Sequence, residues 1–83
     1  MPPLSIEFKP SALKDLRGID APDRNRIILR IEALGDNLAG DVKRLTNFTP
    51  EYRLRVGDYR VLFEVEAGRV IIYRIRHRKD VYR

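Results

Sequence analysis

The chain has no cysteine and a single histidine. Disulfides and thiolate metal sites are therefore excluded as reinforcement, and no histidine cluster is available to hold a metal. No cofactor is expected. Long apolar runs are missing as well. The longest, residues 70–73, falls far short of the ~20 residues that span a bilayer. The N-terminus lacks a basic segment followed by an apolar stretch of about 7–15 residues, so no secretory signal is read. Repeats, linkers and low-complexity segments are absent too. These absences predict a soluble, cytoplasmic protein with no membrane partner. With 83 residues, the chain is expected to form one domain over 1–83. A domain this small buries only about 60% of the surface its unfolded chain exposes. Its core must come from packing alone.

Charge is present in quantity and is unevenly placed. Residues 1–41 carry 6 Lys/Arg against 7 Asp/Glu, whereas residues 42–83 carry 11 against 5. A basic half of this kind suits a polyanion, because clustered Lys and Arg attract phosphates and release counterions. A solvated basic surface without a partner would show the same composition.

Hydrophobic periodicity outlines the elements. Leu4, Ile6 and Phe8 alternate with polar residues, as in a half-buried strand closed by Pro10. Ser11 is placed to cap a short helix whose Ala12, Leu13 and Leu16 share a face, with Gly18 to end it. Asp20 and Pro22 mark the start of a second helix. Its apolar stripe is Ile27, Ile28, Ile31, Leu34 and Leu38, and Gly35 or Gly40 could close it. The short link between the two predicts an antiparallel helical hairpin. Residues 41–50 read as a polar connector anchored by Leu45 and Phe48.

From Tyr52 the period changes to two. Tyr52, Leu54 and Val56 alternate with Arg53 and Arg55, and Tyr59, Val61, Phe63 and Val65 alternate with Arg60, Leu62 and Glu64. Gly57-Asp58 between them fits a two-residue type II′ hairpin. Ala67-Gly68 marks a second tight turn before a third strand over residues 70–76. The fold class is α+β: an N-terminal strand, a helical hairpin, then a three-stranded antiparallel β-meander in one sheet, with helices packed on one face.

The first hairpin's register carries chemical information. With Gly57-Asp58 as the turn, Arg55 pairs with Arg60, and Arg53 lies opposite Leu62 on the same face. Like charges directly across a sheet repel, by roughly 0.8 kcal/mol per pair at ~5 Å in water. An anion filling the gap would relieve this. Leu54, Val61 and Phe63 point the other way, toward the helices, so the basic face is left open. Salt bridges to Asp58, Glu64 or Glu51 are the ordinary alternative for these arginines. An even-length turn at Ala67-Gly68 puts Tyr73 on the basic face, whereas one bulge brings Arg74 and Arg76 there instead. At the C-terminus, Arg76, His77, Arg78, Lys79 and Arg83 surround Tyr82. Histidine exchanges protons near neutrality, and tyrosine stacks on exposed bases. A frayed basic tail is the alternative.

The stretch YRLRVGDYRVLFEV (52–65), followed by VIIYRIRHRKDVYR (70–83), resembles the C-terminal half of RelE-superfamily toxins. The resemblance extends weakly over the whole chain. It implies a toxin of a type II toxin–antitoxin system that cleaves mRNA in the ribosomal decoding site, with a cognate antitoxin as partner and operator DNA bound only through that antitoxin. It also implies residue roles. Arg60 resembles the arginine that clamps the scissile phosphate. Arg53 matches a lysine that stabilises charge or takes the 2′-OH proton, and Arg78 the arginine that assists the leaving 5′-oxygen. Tyr82 resembles the tyrosine that orients the nucleotide. Arg55, Arg76 and Lys79 are further basic contacts. Arginine is a poor base, with a pKa above about 12, and Glu51 stands where these enzymes carry another lysine. Proton transfer would then fall to His77, to Glu51 or to the ribosome. The same scaffold also implies an alternative, a ParE-like toxin that inhibits DNA gyrase by binding, or a detoxified relative that only binds its antitoxin.

Overall fold

The computed structural model describes residues 3–80. Strand β1 (Ser5–Phe8) turns Ile6 and Phe8 toward the core. Helix α1 (Pro10–Arg17) follows at once, with proline at its start, where the missing N–H costs nothing. Helix α2 (Ala21–Ala33) comes next, then strands β2 (Asp41–Arg44), β3 (Tyr52–Val56), β4 (Tyr59–Glu66) and β5 (Arg69–His77). All five strands share one sheet in the order β1-β5-β4-β3-β2. Among the described residues, no helix is long and apolar enough to cross a membrane.

The α+β reading holds, with three corrections. The meander has four strands, because residues 41–44 of the expected connector form β2. Val42 is the one apolar residue there, so no alternation announces it; the strand exists because its backbone pairs with β3. The loop that follows closes where the Leu45 amide donates to the Glu51 carbonyl at 2.7 Å. Second, β1 joins β5 in parallel, so the sheet is mixed. Third, the helix caps differ. Lys9, not Ser11, caps α1, and Asp20 occupies the cap of α2 without a side-chain hydrogen bond.

The core lies between the helices and one sheet face. Ala12, Leu16, Ile19, Ile27, Ile31 and Leu34 pack there against Leu54, Val56, Val61, Phe63, Val70, Ile72 and Ile75. The turn residues fix the register. Positive φ falls on Gly57 alone at the β3–β4 turn, as type II′ requires, and on both Ala67 and Gly68 at the β4–β5 turn.

Strand β5 breaks its own alternation. Phe63 pairs with Ile72 but Leu62 pairs with Arg74, which leaves Tyr73 as an extra residue in a bulge. Strict alternation would put Arg74 on the core face beside Ile72. The bulge turns Arg74 outward and brings Ile75 into the core, so the apolar side chains dictate it.

The bulge coincides with a change of neighbour. β1 covers the outer edge of β5 as far as Ile72. Beyond it, side chains of α1 take over. The Ser11 hydroxyl donates to the Tyr73 carbonyl at 2.7 Å. The Asp15 carboxylate accepts from the Ile75 amide at 2.9 Å and from Arg74 Nε and Nη2 at 2.9 and 3.1 Å. A helix thus satisfies backbone groups that an edge strand would otherwise leave open. Burial by itself would raise the Asp15 pKa. The Arg74 hydrogen bond, the Ile75 amide and the charges of Arg74 and Arg76 outweigh it, and the net shift is downward from the ordinary 3.8. The stability this carboxylate contributes is therefore fully present above that ordinary value and is lost as pH falls through the depressed folded value. Asp15→Asn is expected to lose about 1–2 kcal/mol at neutral pH and to flatten the acid side of the stability profile. Urea unfolding followed against pH checks both. An unchanged acid limb would show that the clamp contributes nothing.

Candidate functional site

The face opposite the helices is basic. Across it, Asp41 of β2, Arg55 of β3, Arg60 of β4 and Arg76 of β5 lie in one register row. Three arginines on three adjacent strands thus stand side by side. The next row runs Lys43, Arg53, Leu62 and Arg74. The expected register of the first hairpin is the one observed, with Arg55 opposite Arg60 and Arg53 opposite Leu62. The bulge in β5 decides the remaining alternative and aligns Arg76, rather than Tyr73, with Arg60. Tyr73 lies instead under the Lys9 ammonium, 5.4 Å from its ring centre.

Below the arginines is an apolar floor. Leu62 and Ile71 are buried although they lie outside the helix-side core. Arg53 lies low on this floor, its side chain 15% exposed, with Nη2 3.7 Å from Asp41 Oδ1. Its Nε is buried and makes no hydrogen bond. Arg60 folds back over the turn, where Nη1 donates to the Gly57 carbonyl at 2.9 Å and the Tyr59 carbonyl at 3.0 Å. Arg78 reaches the same turn: its amide donates to the Asp58 carbonyl at 2.7 Å, and its Nε lies 3.7 Å from Asp58 Oδ1. The Arg76 guanidinium donates to the Asp80 carbonyl at 3.2 Å. Arg55 is exposed.

His77 is placed elsewhere. It pairs with Tyr59, and the two rings meet edge to face at 5.5 Å. Tyr59 packs on the helix-side core, so His77 occupies the face away from the arginine row. Its Nδ1 accepts from the Lys79 amide at 3.3 Å, which holds the ring in that position. Lys79 is exposed, and Tyr82 lies outside the described residues. Glu51 is engaged by Arg44, Nη2 to Oε1 at 2.6 Å, and that hydrogen bond raises the arginine pKa. The Glu64 carboxylate accepts from the Glu51 amide. Of the acids expected beside Arg53, Arg55 and Arg60, Asp58 pairs instead with Arg78 and Glu51 with Arg44. Arg53 pairs with Asp41 and Arg74 with Asp15, two acids not singled out in the sequence.

Arg26 was also missed. A Cβ at Gly57 would come within 2.3 Å of its Nη2, so the α2 guanidinium rests against the turn that carries Arg60. Glycine is favoured at that position by its positive φ, whereas the end of the flexible Arg26 side chain could swing aside.

A small α+β domain with a bare arginine-lined sheet face is the class that this geometry defines. The comparisons agree. Residues 6–82 match the family model described as ParE toxin of type II toxin-antitoxin system, parDE. The chain is 35% identical to Toxin RelE3 of Methanocaldococcus jannaschii over 85 residues, which cover 95% of this chain and 96% of that protein. It also matches a chain of the RelB-RelE antitoxin-toxin complex from Methanococcus jannaschii, at 35% identity and a TM-score of 0.77, covering 92% and 94% of the two chains. A chain of the RelBE2 toxin-antitoxin complex from Mycobacterium tuberculosis shares the fold, with a TM-score of 0.79 at 21% identity, covering 90% and 98%. The chain belongs to the RelE/ParE family of toxins from type II toxin–antitoxin systems.

The row of like charges has a thermodynamic consequence. Arg55→Gln removes one cross-strand repulsion and is expected to stabilise the fold by about 0.5–1 kcal/mol at low salt, with the gain shrinking as salt screens the row. Urea unfolding of both proteins at two ionic strengths measures it. A destabilised variant would mean that Arg55 is structural.

Proposed function

We propose that this toxin is an endoribonuclease that cleaves mRNA on the ribosome, and the arginine row Arg55, Arg60 and Arg76 carries the reading. A phosphodiester under attack gathers negative charge on its equatorial oxygens, and guanidiniums fixed on a rigid sheet meet that charge without reorganising. In this scheme the 2′-oxygen forms a bond to the neighbouring phosphorus, the bond from phosphorus to the 5′-oxygen breaks, and a 2′,3′-cyclic phosphate is left. Arg60, held over the turn by two carbonyls, clamps the scissile phosphate. Arg53 stabilises the developing charge from the floor of the face. Arg78, beside the same turn, assists the leaving 5′-oxygen. Arg55, Arg76 and Lys79 hold flanking phosphates, and Tyr82 orients the nucleotide. His77 faces the other side of the sheet and Glu51 is engaged by Arg44, so the 2′-OH proton and the proton for the 5′-oxygen are assigned to groups of the ribosome.

The partner in this reading is a cognate antitoxin whose acidic side chains cover the arginine face, as charge complementarity favours. The relatives from Methanococcus jannaschii and Mycobacterium tuberculosis were crystallised as antitoxin complexes, which supports it. Operator DNA is reached only through the antitoxin. The toxin acts in the cytoplasm, where its target is found.

A ParE-like reading, inhibition of DNA gyrase by binding, is favoured by the family model that matches. One experiment separates the two. On induction in a bacterial host, the wild type is expected to yield new mRNA 5′ ends by primer extension and to leave plasmid supercoiling intact. Arg60→Ala and Arg78→Ala are each expected to cut cleavage by roughly 100-fold or more with the circular dichroism spectrum unchanged. Growth arrest that persists in both variants, or lost supercoiling without cleavage, would reverse the assignment.

A further inference from the structure

The ion pairs fall into two kinds. Those that fasten the fold are short: Arg44–Glu51 at 2.6 Å, Arg69–Glu7 at 2.7 Å and Arg74–Asp15 at 2.9 Å. Two more pairs, like Arg74–Asp15, join the basic face to a carboxylate from a different segment, but these are long: Arg53–Asp41 and Arg78–Asp58, each at 3.7 Å. That distance lies beyond hydrogen-bonding range. The remaining long contacts, Arg26–Asp23 and Arg69–Glu66, link residues three apart in sequence.

The Arg53 pair is also mismatched in burial. Its guanidinium side chain is 15% exposed, whereas the Asp41 side chain is 59% exposed. Arg53 Nε is enclosed without an acceptor, an arrangement that costs free energy until one arrives. Asp41 heads the arginine row, in register with Arg55, and leans toward Arg53 in the next row. One exposed carboxylate therefore lies near Arg53 and shares a register row with Arg55, two arginines of β3 that would face a phosphate of a bound strand.

We propose that Asp41 is a built-in competitor for the anion subsite at Arg53 and Arg55, occupying it loosely in the free toxin and yielding it to an RNA phosphate. The inference rests on the reading of the basic face as the RNA site. A loose carboxylate of this kind orients Arg53 and relieves part of the like-charge repulsion, yet lacks the short bonds that would make it hard to displace. Asp58 stands in the same relation to Arg78, but both partners are largely exposed and solvent screens them more.

The test uses a short fluorescein-labelled 2′-O-methyl RNA, which binds but cannot be cleaved by 2′-OH attack, with affinity read by fluorescence anisotropy. Asp41→Asn is expected to tighten binding by about three- to tenfold at low salt, the size of one removed charge at this range. The gain should vanish in an Arg53→Ala background and should exceed that from Glu32→Gln, an equal charge change on the exposed side of α2. An equal gain from Glu32→Gln, or one that survives Arg53→Ala, would reduce the effect to net charge and overturn the competitor role. The RNA reading itself would then still stand, provided Arg60→Ala weakens wild-type binding. If neither the wild type nor Asp41→Asn binds more tightly than Arg60→Ala, both the competitor and the RNA reading are overturned.

Discussion

Strand β5 runs past its neighbour. β1 pairs with it as far as Ile72, and the next residues would present an open edge at the middle of the basic end. The Asp15 carboxylate takes up that role, accepting one backbone amide and a bidentate guanidinium at once. Held there, Arg74 cannot follow the alternation that would lead it into the core, and Ile75 takes the core position. The bulge at Tyr73 is the geometric record of this exchange, and it brings Arg76 into line with Arg60 and Arg55. One carboxylate on the first helix thus fastens the strand end whose bulge, dictated by the apolar side chains, completes a basic row three strands wide.

The basic face is built against its own stability. Arg55, Arg60 and Arg76 repel one another across the sheet, and Arg53 is set low on an apolar floor with an unsatisfied Nε. The molecule offsets these costs elsewhere, chiefly with a core free of buried polar residues among those described and with the Asp15 clamp between α1 and β5. Loose carboxylate contacts on the face itself give partial relief and remain displaceable. Such loose pairs suit the anion-receiving role proposed for this face.

Fold and family leave two activities within reach, because the same scaffold carries proteins described as ParE and as RelE toxins. Function must then be argued from the site. The arginine row and the turn that holds Arg60 and Arg78 favour phosphate chemistry, and the proposed nuclease leaves proton transfer to the ribosome because His77 faces away from the row.

Much of this was legible in the residues. Gly57-Asp58 fixed a hairpin register, because the flanking apolar alternation tolerates no slip, and from it followed the Arg55–Arg60 pair and the position of Arg53. The helical stripe of Ile27, Ile31 and Leu34 announced its own burial. What the sequence could not decide depended on partners distant along the chain. β2 has a single apolar residue and exists because β3 offers it hydrogen bonds. The bulge depends on where β1 ends and α1 begins, 60 or so residues before Tyr73 in the chain. The carboxylates that attend the arginines, Asp15 and Asp41, come from a helix and a strand whose neighbours no local pattern reveals. Local periodicity states which face a side chain prefers. Only the packed sheet decides which charges share that face, because register and edge pairing are set between segments and not within them.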